Sequence, residues 1–143
     1  MKIVSPYTNP QTWLKGNFHT HTTASDGKST LEEVVGLYRD DNYDFLSITD
    51  HRRLHDGKCD FAGKMLMIPG QECHIAREVE EFEYHVVGLG VTRQVEDQTT
   101  GQAIIDAIVA AGGIAIVAHP RWSYMPYETF NALTGYAAFE VLN

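Results

Sequence analysis

The sequence predicts an α/β fold, and within that class a TIM-like (β/α) barrel, on three observations. Short apolar segments of strand length alternate along the chain with amphipathic segments of helical periodicity. The apolar segments are nearly continuous, as in parallel strands that are covered on both faces. Imidazole and carboxylate side chains stand at the ends of several of these segments, and barrel enzymes assemble their sites at the carboxyl ends of the strands.

Length and composition limit the classes of function. The 143 residues are predicted to form a single domain, 1–143, and 43% hydrophobic with 21% charged residues are ordinary values for a folded chain. The formal net charge is -8 and the sequence has no Lys/Arg-rich stripe, which argues against extended nucleic-acid binding. Bound divalent cations would reverse the local charge, so an anionic substrate remains compatible with the composition.

Other sequence features predict a soluble, cytoplasmic protein. Cys59 and Cys73 form no CxxC pair, and we interpret them as two reduced thiols. Residues 1–13 lack the apolar run of a signal peptide. No apolar run approaches the ~20 residues that a membrane-spanning helix needs, so no membrane partner is expected.

The first predicted elements are a strand at residues 16–21, a turn at residues 25–27 and an amphipathic helix. Ser29 is the predicted N-cap of this helix, with Glu32 as its capping-box partner, and the helix should end near Asp41. Its apolar face is formed by Leu31, Val34, Val35 and Tyr38.

Strands are predicted at residues 43–49, 65–69 and 85–89, the second leading to Glu72 and a charged loop through Glu83 leading to the third. A second helix should follow Thr99 as N-cap, with Gln102 as its box partner, and end at residues 112–113. A strand at 114–118, a short helix at 126–133 and a strand at 138–142 complete the pattern. The buried stripe of the second helix is predicted to be Ile104, Ile105, Ile108 and Val109.

Histidines and acidic residues carry the chemical signal of the sequence. His19 and His21 stand two residues apart on a predicted strand, so both rings point to the same side and can hold one cation. Each histidine taken alone could equally be an ordinary core or surface residue. Five further candidates add carboxylate and imidazole donors, a mixture that suits Zn, Mn or Fe. They are Asp26, His51, Glu72, His85 and His119.

The short motifs around these residues, taken in chain order, resemble those of the polymerase and histidinol phosphatase (PHP) family. The similarity runs from about Gly16 to the C-terminus, on the segments His19-Thr20-His21-Thr22, Ser25-Asp26-Gly27, Ile48-Thr49-Asp50-His51, Gly70-Gln71-Glu72, His85-Val86-Val87-Gly88 and Ala118-His119-Pro120. The resemblance implies a distorted (β/α)7 barrel with up to three divalent metal ions at its C-terminal rim. It also implies hydrolysis of a phosphoester by a metal-bound water.

The resemblance further implies roles for individual residues. His19 and His21 would hold the first metal, Asp26 and His51 the second, and His85 and His119 the third, with Glu72 bridging the first and third. The residues expected to act in catalysis are His19, His21, Glu72, His119 and Arg121.

Several neighbouring residues leave alternatives open. Arg121 follows a ligand position, where a guanidinium can grip phosphate oxygens, and it is the preferred phosphate-binding candidate. His74 shares a strand face with Glu72 and could replace or supplement His85, whereas His55 is expected to be solvated in a loop. Asp50 is expected to be a strand-end residue rather than a ligand.

The sequence departs from the family pattern after His119. Family members complete their site with a later Asp-x-His, and this chain shows no such motif. We therefore expect a barrel that is incomplete at its C-terminus, with five to six of its strands. The chain would be a fragment, a natural truncation, or a domain completed by a second chain or a homo-oligomer, to which the open edge at 138–142 could pair.

The function that these observations favour is hydrolysis of a small phosphorylated substrate, with a nucleotide or an oligonucleotide end also compatible. Two alternatives stay open. One is an inactive metal-binding module that has lost its last ligands. The other is a non-phosphate metallohydrolase, such as an amidohydrolase-like enzyme on a similar barrel. For it we would expect a metal-bridging carboxylated lysine or a late catalytic Asp, and the sequence places no lysine at a strand end.

Overall fold

The computed structural model describes residues 13–75 and 84–143. The predicted charged loop up to Glu83 and most of the N-terminal segment 1–13 lie outside these residues. The described residues form β1 (Gly16–Asn17), α1 (Leu31–Asp40), β2 (Phe45–Ser47), β3 (Leu66–Ile68), β4 (Gly70–His74), β5 (His85–Leu89), α2 (Gly101–Ala110), β6 (Ile114–Val117), α3 (Tyr127–Ala132) and β7 (Ala138–Phe139).

The strands form two sheets with different strand directions. In the first sheet, β1, β2 and β3 are all parallel. In the second, β5 is antiparallel to both β4 and β6, and β7 is parallel to β6. The prediction of one parallel sheet is therefore wrong for β4, β5 and β6, because apolar patterning does not define strand direction. The mixed α/β class is confirmed, and the seven-stranded barrel stays a prediction.

The sheets meet at Pro69, which separates β3 from β4. A parallel bridge between His51 and Glu72 joins the segment after β2 to β4. Glu72 thus lies in the middle of a strand, not past the end of one as predicted, since the chain continues as β4 to His74. This junction places residues of both sheets around one point.

Helix α1 buries one face against the first sheet. Its N-cap is Thr30, whose side chain accepts from the Glu33 amide, while the Glu33 carboxylate accepts from the Thr30 amide. The predicted cap, Ser29 with Glu32, was one residue too early, because Ser29 and Thr30 are both good caps and only the structure selects between them. The predicted apolar face is confirmed, with Val34 and Val35 buried and Leu31 and Tyr38 packed beside them.

Helix α2 packs on the second sheet. Thr100, and not the predicted Thr99, caps it by accepting from Ala103. Gln102 is not a box partner: its side-chain amide donates to Asp106 and to the Thr134 carbonyl. Ile104, Ile105 and Ile108 are fully buried as predicted, whereas Val109 is 51% exposed.

The hydrophobic core has three clusters. One lies between α1 and the parallel sheet, and a larger one lies between α2 and the mixed sheet. A small third cluster, formed by Val87, Leu89 and Ala118, packs against Ile68 of β3 and joins the two sheets. Cys73 belongs to the larger cluster and is 1% exposed, so its neighbours Glu72 and His74 point to the opposite face of β4. None of the described helices has the length and apolarity needed to cross a membrane.

Candidate metal centre

Glu72 is the centre of a cluster of imidazoles. Its side chain is completely buried, and five imidazole nitrogens lie 3.0–3.2 Å from its two oxygens. Oε1 contacts two of these rings and Oε2 contacts three. The contacting rings are those of His85 and His119 on Oε1, and of His19, His21 and His51 on Oε2.

The cluster holds Glu72 as a carboxylate. Burial alone would raise the pKa of Glu72, but the hydrogen bonds from His119, His19 and the other rings hold that pKa well below its usual range. A buried carboxylate with both oxygens engaged on different sides has the arrangement of a ligand that joins two cations. The predicted bridging role of Glu72 is compatible with this arrangement.

The segment after β1 carries His19 and His21. The two Nε2 atoms lie 3.0 Å apart, and each lies 3.1 Å from Glu72 Oε2. Ligands held about 2.0–2.1 Å from a tetrahedral zinc ion lie about 3.3 Å from each other. The three atoms are therefore spaced almost as a metal ion would require, and they fit a divalent cation.

Asp50 holds this segment in place. Its buried carboxylate accepts from the Thr22 amide at 2.7 Å, from the Thr22 hydroxyl at 2.7 Å and from the Ser25 hydroxyl at 2.6 Å. Gly27 packs so closely on the same segment that a Cβ there would lie 2.6 Å from the His21 carbonyl. Asp50 thus orients the residues between His21 and Asp26.

Asp26 and His51 lie at the outer side of the cluster. Asp26 is exposed, with Oδ2 3.3 Å from His51 Nε2 and Oδ1 3.5 Å from His21 Nδ1. The hydrogen bond to Glu72 raises the pKa of His51, and burial opposes that increase. Burial raises the pKa of Asp26, but the charges of His51 and His21 outweigh it and lower the value overall.

The described residues contain three overlapping groups whose donor atoms lie within 4.8 Å of one another. Two groups have three donors and the third has four. The groups are His19, His21 and Glu72; His21, Asp26 and His51; and His51, Glu72, His74 and His85. Six of the seven predicted ligands thus fall into these groups, and their roles as ligands stay predictions.

His119 lies beside these groups. Its Nε2 is 3.2 Å from Glu72 Oε1, and its Nδ1 is 3.1 Å from the Ser123 hydroxyl. His119 lies two residues past the end of β6 and is buried, with a backbone φ of +27°. Such a φ is uncommon for a residue other than glycine and is found more often at functional sites.

Glu140 is a residue of this centre that the sequence analysis did not identify. His19 Nδ1 donates to Glu140 Oε1 at 2.7 Å, and the His119 amide donates to Glu140 Oε2 at 2.9 Å. Burial lowers the pKa of His19, but the hydrogen bonds to Glu140 and Glu72 raise it to about 9. The available signal was its position: Glu140 directly follows β7, and His119 lies two residues past the end of β6.

His74 belongs to the cluster and His55 does not. His74 Nε2 lies 2.6 Å from His51 Nδ1, and burial together with the charge of His85 lowers the pKa of His74 to about 3. His74 is therefore neutral at pH 7, which is the form that binds metals. His55 is half-buried, and its Nδ1 accepts from the Gly57 amide.

Arg121 lies next to the centre. The imidazole cluster opens into a cavity of about 410 Å³, which Trp122 and Asn143 also line. Arg121 lines an adjoining cavity of about 450 Å³ that shares His119, Trp122 and Asn143 with the first. Arg121 thus borders a cavity that adjoins the cluster, and its role in binding phosphate stays a prediction.

Comparisons with known proteins identify the fold. No protein-family model matches the sequence, and no curated protein matches it. An amidohydrolase from Chromobacterium violaceum, solved with bound sulfate and no metal, has a TM-score of 0.66 at 17% identity, covering 89% of this chain and 76% of that one. The chain shares its α/β fold.

Two further solved structures share this fold. A protein from Bifidobacterium adolescentis, assigned as a metal-dependent phosphoesterase, has a TM-score of 0.70 at 14% identity, over 90% of this chain and 77% of that one. A two-domain protein from Bacteroides vulgatus contains a predicted PHP-like metal-dependent phosphoesterase. It has a TM-score of 0.60 at 22% identity, and this chain covers 38% of its length while 81% of this chain is matched.

Proposed function

We propose that this chain is the metal-binding part of a metal-dependent hydrolase that cleaves phosphoesters. The observation that carries the proposal is the buried Glu72 carboxylate with five imidazole nitrogens within 3.2 Å, beside an open cavity. So many imidazoles around one buried carboxylate form a donor set that suits a cluster of divalent cations. The fold is that of proteins assigned as metal-dependent phosphoesterases.

The residues of the chain would hold Zn, Mn or Fe ions, up to three, through the three donor groups. When bound, such ions lower the pKa of water from 15.7 to about 7 and stabilise charge on phosphoryl oxygens. Glu72 would supply negative charge beside these cations. Arg121, which lines the adjoining cavity, would bind oxygens of an anionic substrate.

The form of the cavity favours a small substrate or the end of a longer one. Its volume of about 410 Å³ suits a phosphorylated metabolite, a nucleotide or a terminal nucleotide, and not a long duplex. The net charge of -8 also disfavours a long polyanion. We therefore propose a small phosphomonoester or phosphodiester as substrate.

An amide or a related non-phosphate substrate is the second candidate. The amidohydrolase from Chromobacterium violaceum supports it, since this chain matches its fold over 89% of this chain's length. An inactive metal-binding module is the third. In that case metal binding would persist without turnover.

Self-association is part of the proposal. Strand β7 is the outer strand of its sheet, and Phe139, Val141 and Leu142 in and after it are 48%, 71% and 83% exposed. An exposed apolar edge of this kind favours pairing with another chain. Light scattering coupled to size exclusion, compared with activity across protein concentrations, tests whether an oligomer is the active form.

The test of function is elemental analysis for metals together with hydrolysis of aryl phosphate, aryl phosphodiester and aryl amide by the same sample. We expect at least two equivalents of metal and phosphoester turnover that a chelator abolishes. Glu72→Gln should lose both, whereas Glu96→Gln, which changes an exposed carboxylate, should keep both. Amide turnover alone would establish the second candidate, and metal without turnover would establish the third.

A further inference from the structure

We propose that His74 completes a closed four-donor metal site with His51, Glu72 and His85. This site shares Glu72 with the donor group of His19 and His21, which has only three donors and keeps an open position. The inference rests on the proposed metal dependence of the chain and adds a ligand to it. It also changes the expected partner of His85, since His74 takes the place next to it.

The backbone brings these four residues together. Glu72 and His74 are two residues apart on β4 and therefore point to the same face of the strand. His85 is the direct antiparallel partner of His74 on β5. His51 is the bridge partner of Glu72. The positions of Glu72, His74 and His85 thus follow from strand register, and the isolated bridge to Glu72 positions His51.

The side chains converge in the way that ligands of one cation do. His74 Nε2 is 2.6 Å from His51 Nδ1, which is itself 3.0 Å from Glu72 Oε2. His85 Nδ1 is 3.1 Å from Glu72 Oε1, and the rings of His74 and His85 are 4.0 Å apart. The four residues are the largest of the donor groups, all within 4.8 Å.

The composition of this group distinguishes it from the other two. Four protein donors fill the tetrahedral shell of zinc, as in sites that hold structure, whereas three donors leave a position for water or substrate. Three imidazoles and one carboxylate favour zinc over magnesium or calcium. We infer that the His74 site holds its ion permanently and that the groups nearer to the cavity exchange water and substrate.

The role of Asp26 changes accordingly. His51 has its Nδ1 on the side of Glu72 and His74, while its Nε2 faces Asp26 Oδ2 at 3.3 Å. A carboxylate on the second nitrogen of a metal-binding histidine fixes the ring and its tautomer. Asp26 thus orients His51 for the closed site.

The experiment uses cobalt(II) as a spectroscopic substitute for zinc in the full chain. Titration of the metal-free protein with cobalt, followed in visible absorption, should show a tight phase with the spectrum of tetrahedral cobalt. Competition with a chelator then gives the affinity. The variants are His74→Ala, His74→Cys and the matched control His55→Ala, which removes a half-buried histidine outside the cluster. Circular dichroism checks that each variant folds.

We expect His74→Ala to weaken the tight phase by more than the roughly 10-fold to 100-fold that is typical for loss of an outer hydrogen-bonding partner. His74→Cys should restore affinity and add a sulfur-to-cobalt charge-transfer band in the near ultraviolet, because a thiolate then contacts the ion directly. His55→Ala should bind as the unmodified chain does.

Two results would overturn the inference. One is cobalt binding by folded His74→Ala with unchanged affinity. The other is cobalt binding by His74→Cys without the charge-transfer band, which also decides the matter if His74→Ala does not fold. Failure of the unmodified chain to bind any metal would instead refute the proposed function itself.

Discussion

The two sheets present their candidate ligands in different ways. In the parallel sheet, the imidazoles lie in segments that follow β1 and β2. In the mixed sheet, Glu72 and His74 lie within β4, and His85 is the first residue of β5. Ligands on strands are fixed by backbone register, whereas ligands on loops depend on the side chains that support the loop. We therefore expect a rigid half of the centre on strands β4 and β5 (the strand half). The half on the segments that follow β1 and β2 should be adjustable (the loop half).

The largest expected effect comes from Glu72→Gln, because Glu72 contacts both halves. In chelated protein at pH 7, the substitution removes the buried carboxylate beside protonated His19, which keeps only the partly buried Glu140 as a charge partner. Breaking such a buried pair costs about 3–5 kcal/mol of unfolding free energy. Urea denaturation measures this loss, and elemental analysis should show that metal is lost from every site.

The matched control for this variant is Glu96→Gln, since Glu96 is exposed. It should change the unfolding free energy by less than about 0.5 kcal/mol. If Glu72→Gln retained one full equivalent of metal, the two halves of the centre would not share the Glu72 carboxylate, contrary to the arrangement described above.

Asp50→Asn should affect the loop half alone. An asparagine keeps only one of the two oxygens that accept hydrogen bonds from Thr22 and Ser25. Loss of such a hydrogen bond to a charged group costs about 1–3 kcal/mol of unfolding free energy. We expect weaker metal binding by the group around His19 and an unchanged tight phase. Cobalt titration separates the phases, and Asp56→Asn on the exposed surface is the control.

Glu140→Gln should have a smaller effect on the same half. Glu140 hydrogen-bonds His19 and the His119 amide, so a neutral amide there weakens the orientation of His19 without removing a ligand. We expect metal affinity of the loop group to fall by about 10-fold to 100-fold. Isothermal titration measures it, with exposed Glu128→Gln as control. Equal affinities in the two variants would contradict the role given to Glu140.

The smallest expected effect is a difference in pH dependence between the halves. The pKa of His19 is raised to about 9, so its contribution to stability in chelated protein is complete below about 6.5 and is lost as pH rises to 9. The pKa of His74 is lowered to about 3, so its contribution grows as pH rises from 3 to about 6.5. Thermal melting across pH 3–9 should show both slopes.

Metal removes the loss of stability at high pH. A cation binds deprotonated imidazole, so the stability of the metal-loaded protein should stay nearly level between pH 6.5 and 9 while the chelated protein loses stability. Parallel slopes with and without metal would show that His19 does not exchange its proton for a cation.

The fold was predictable where local chemistry decides it. The apolar faces of α1 and α2 and the apolar strands follow from periodicity, and their ends follow from caps to within a residue. The direction of the strands was not predictable, because it is set by the pairing of strands and not by the apolar pattern of each one. One signal was available: residues 75–84 separate β4 from β5, fewer than the dozen or more that a parallel crossover needs.

The site was predictable where its members stand in ordered motifs. Glu72 and the imidazoles that contact it were all candidates before the structure. Glu140 was not, because a lone glutamate in an apolar run carries no motif, and only folding brings it to His19. The sequence does not decide whether His74 joins the site. The strand period places His74 on the same face as Glu72, but its contact with His51 depends on how the two sheets meet.

The meeting of the two sheets at His51 and Glu72 has a consequence for cooperativity. The side chains gathered there come from distant parts of the chain, and His19 and Glu140 are 121 positions apart. A cation bound among them acts as a reversible cross-link, closing loops whose entropy the free chain would otherwise keep. The ion should therefore sharpen the unfolding transition, because it adds a second link between the two sheets to the packing of Ile68 on Val87, Leu89 and Ala118.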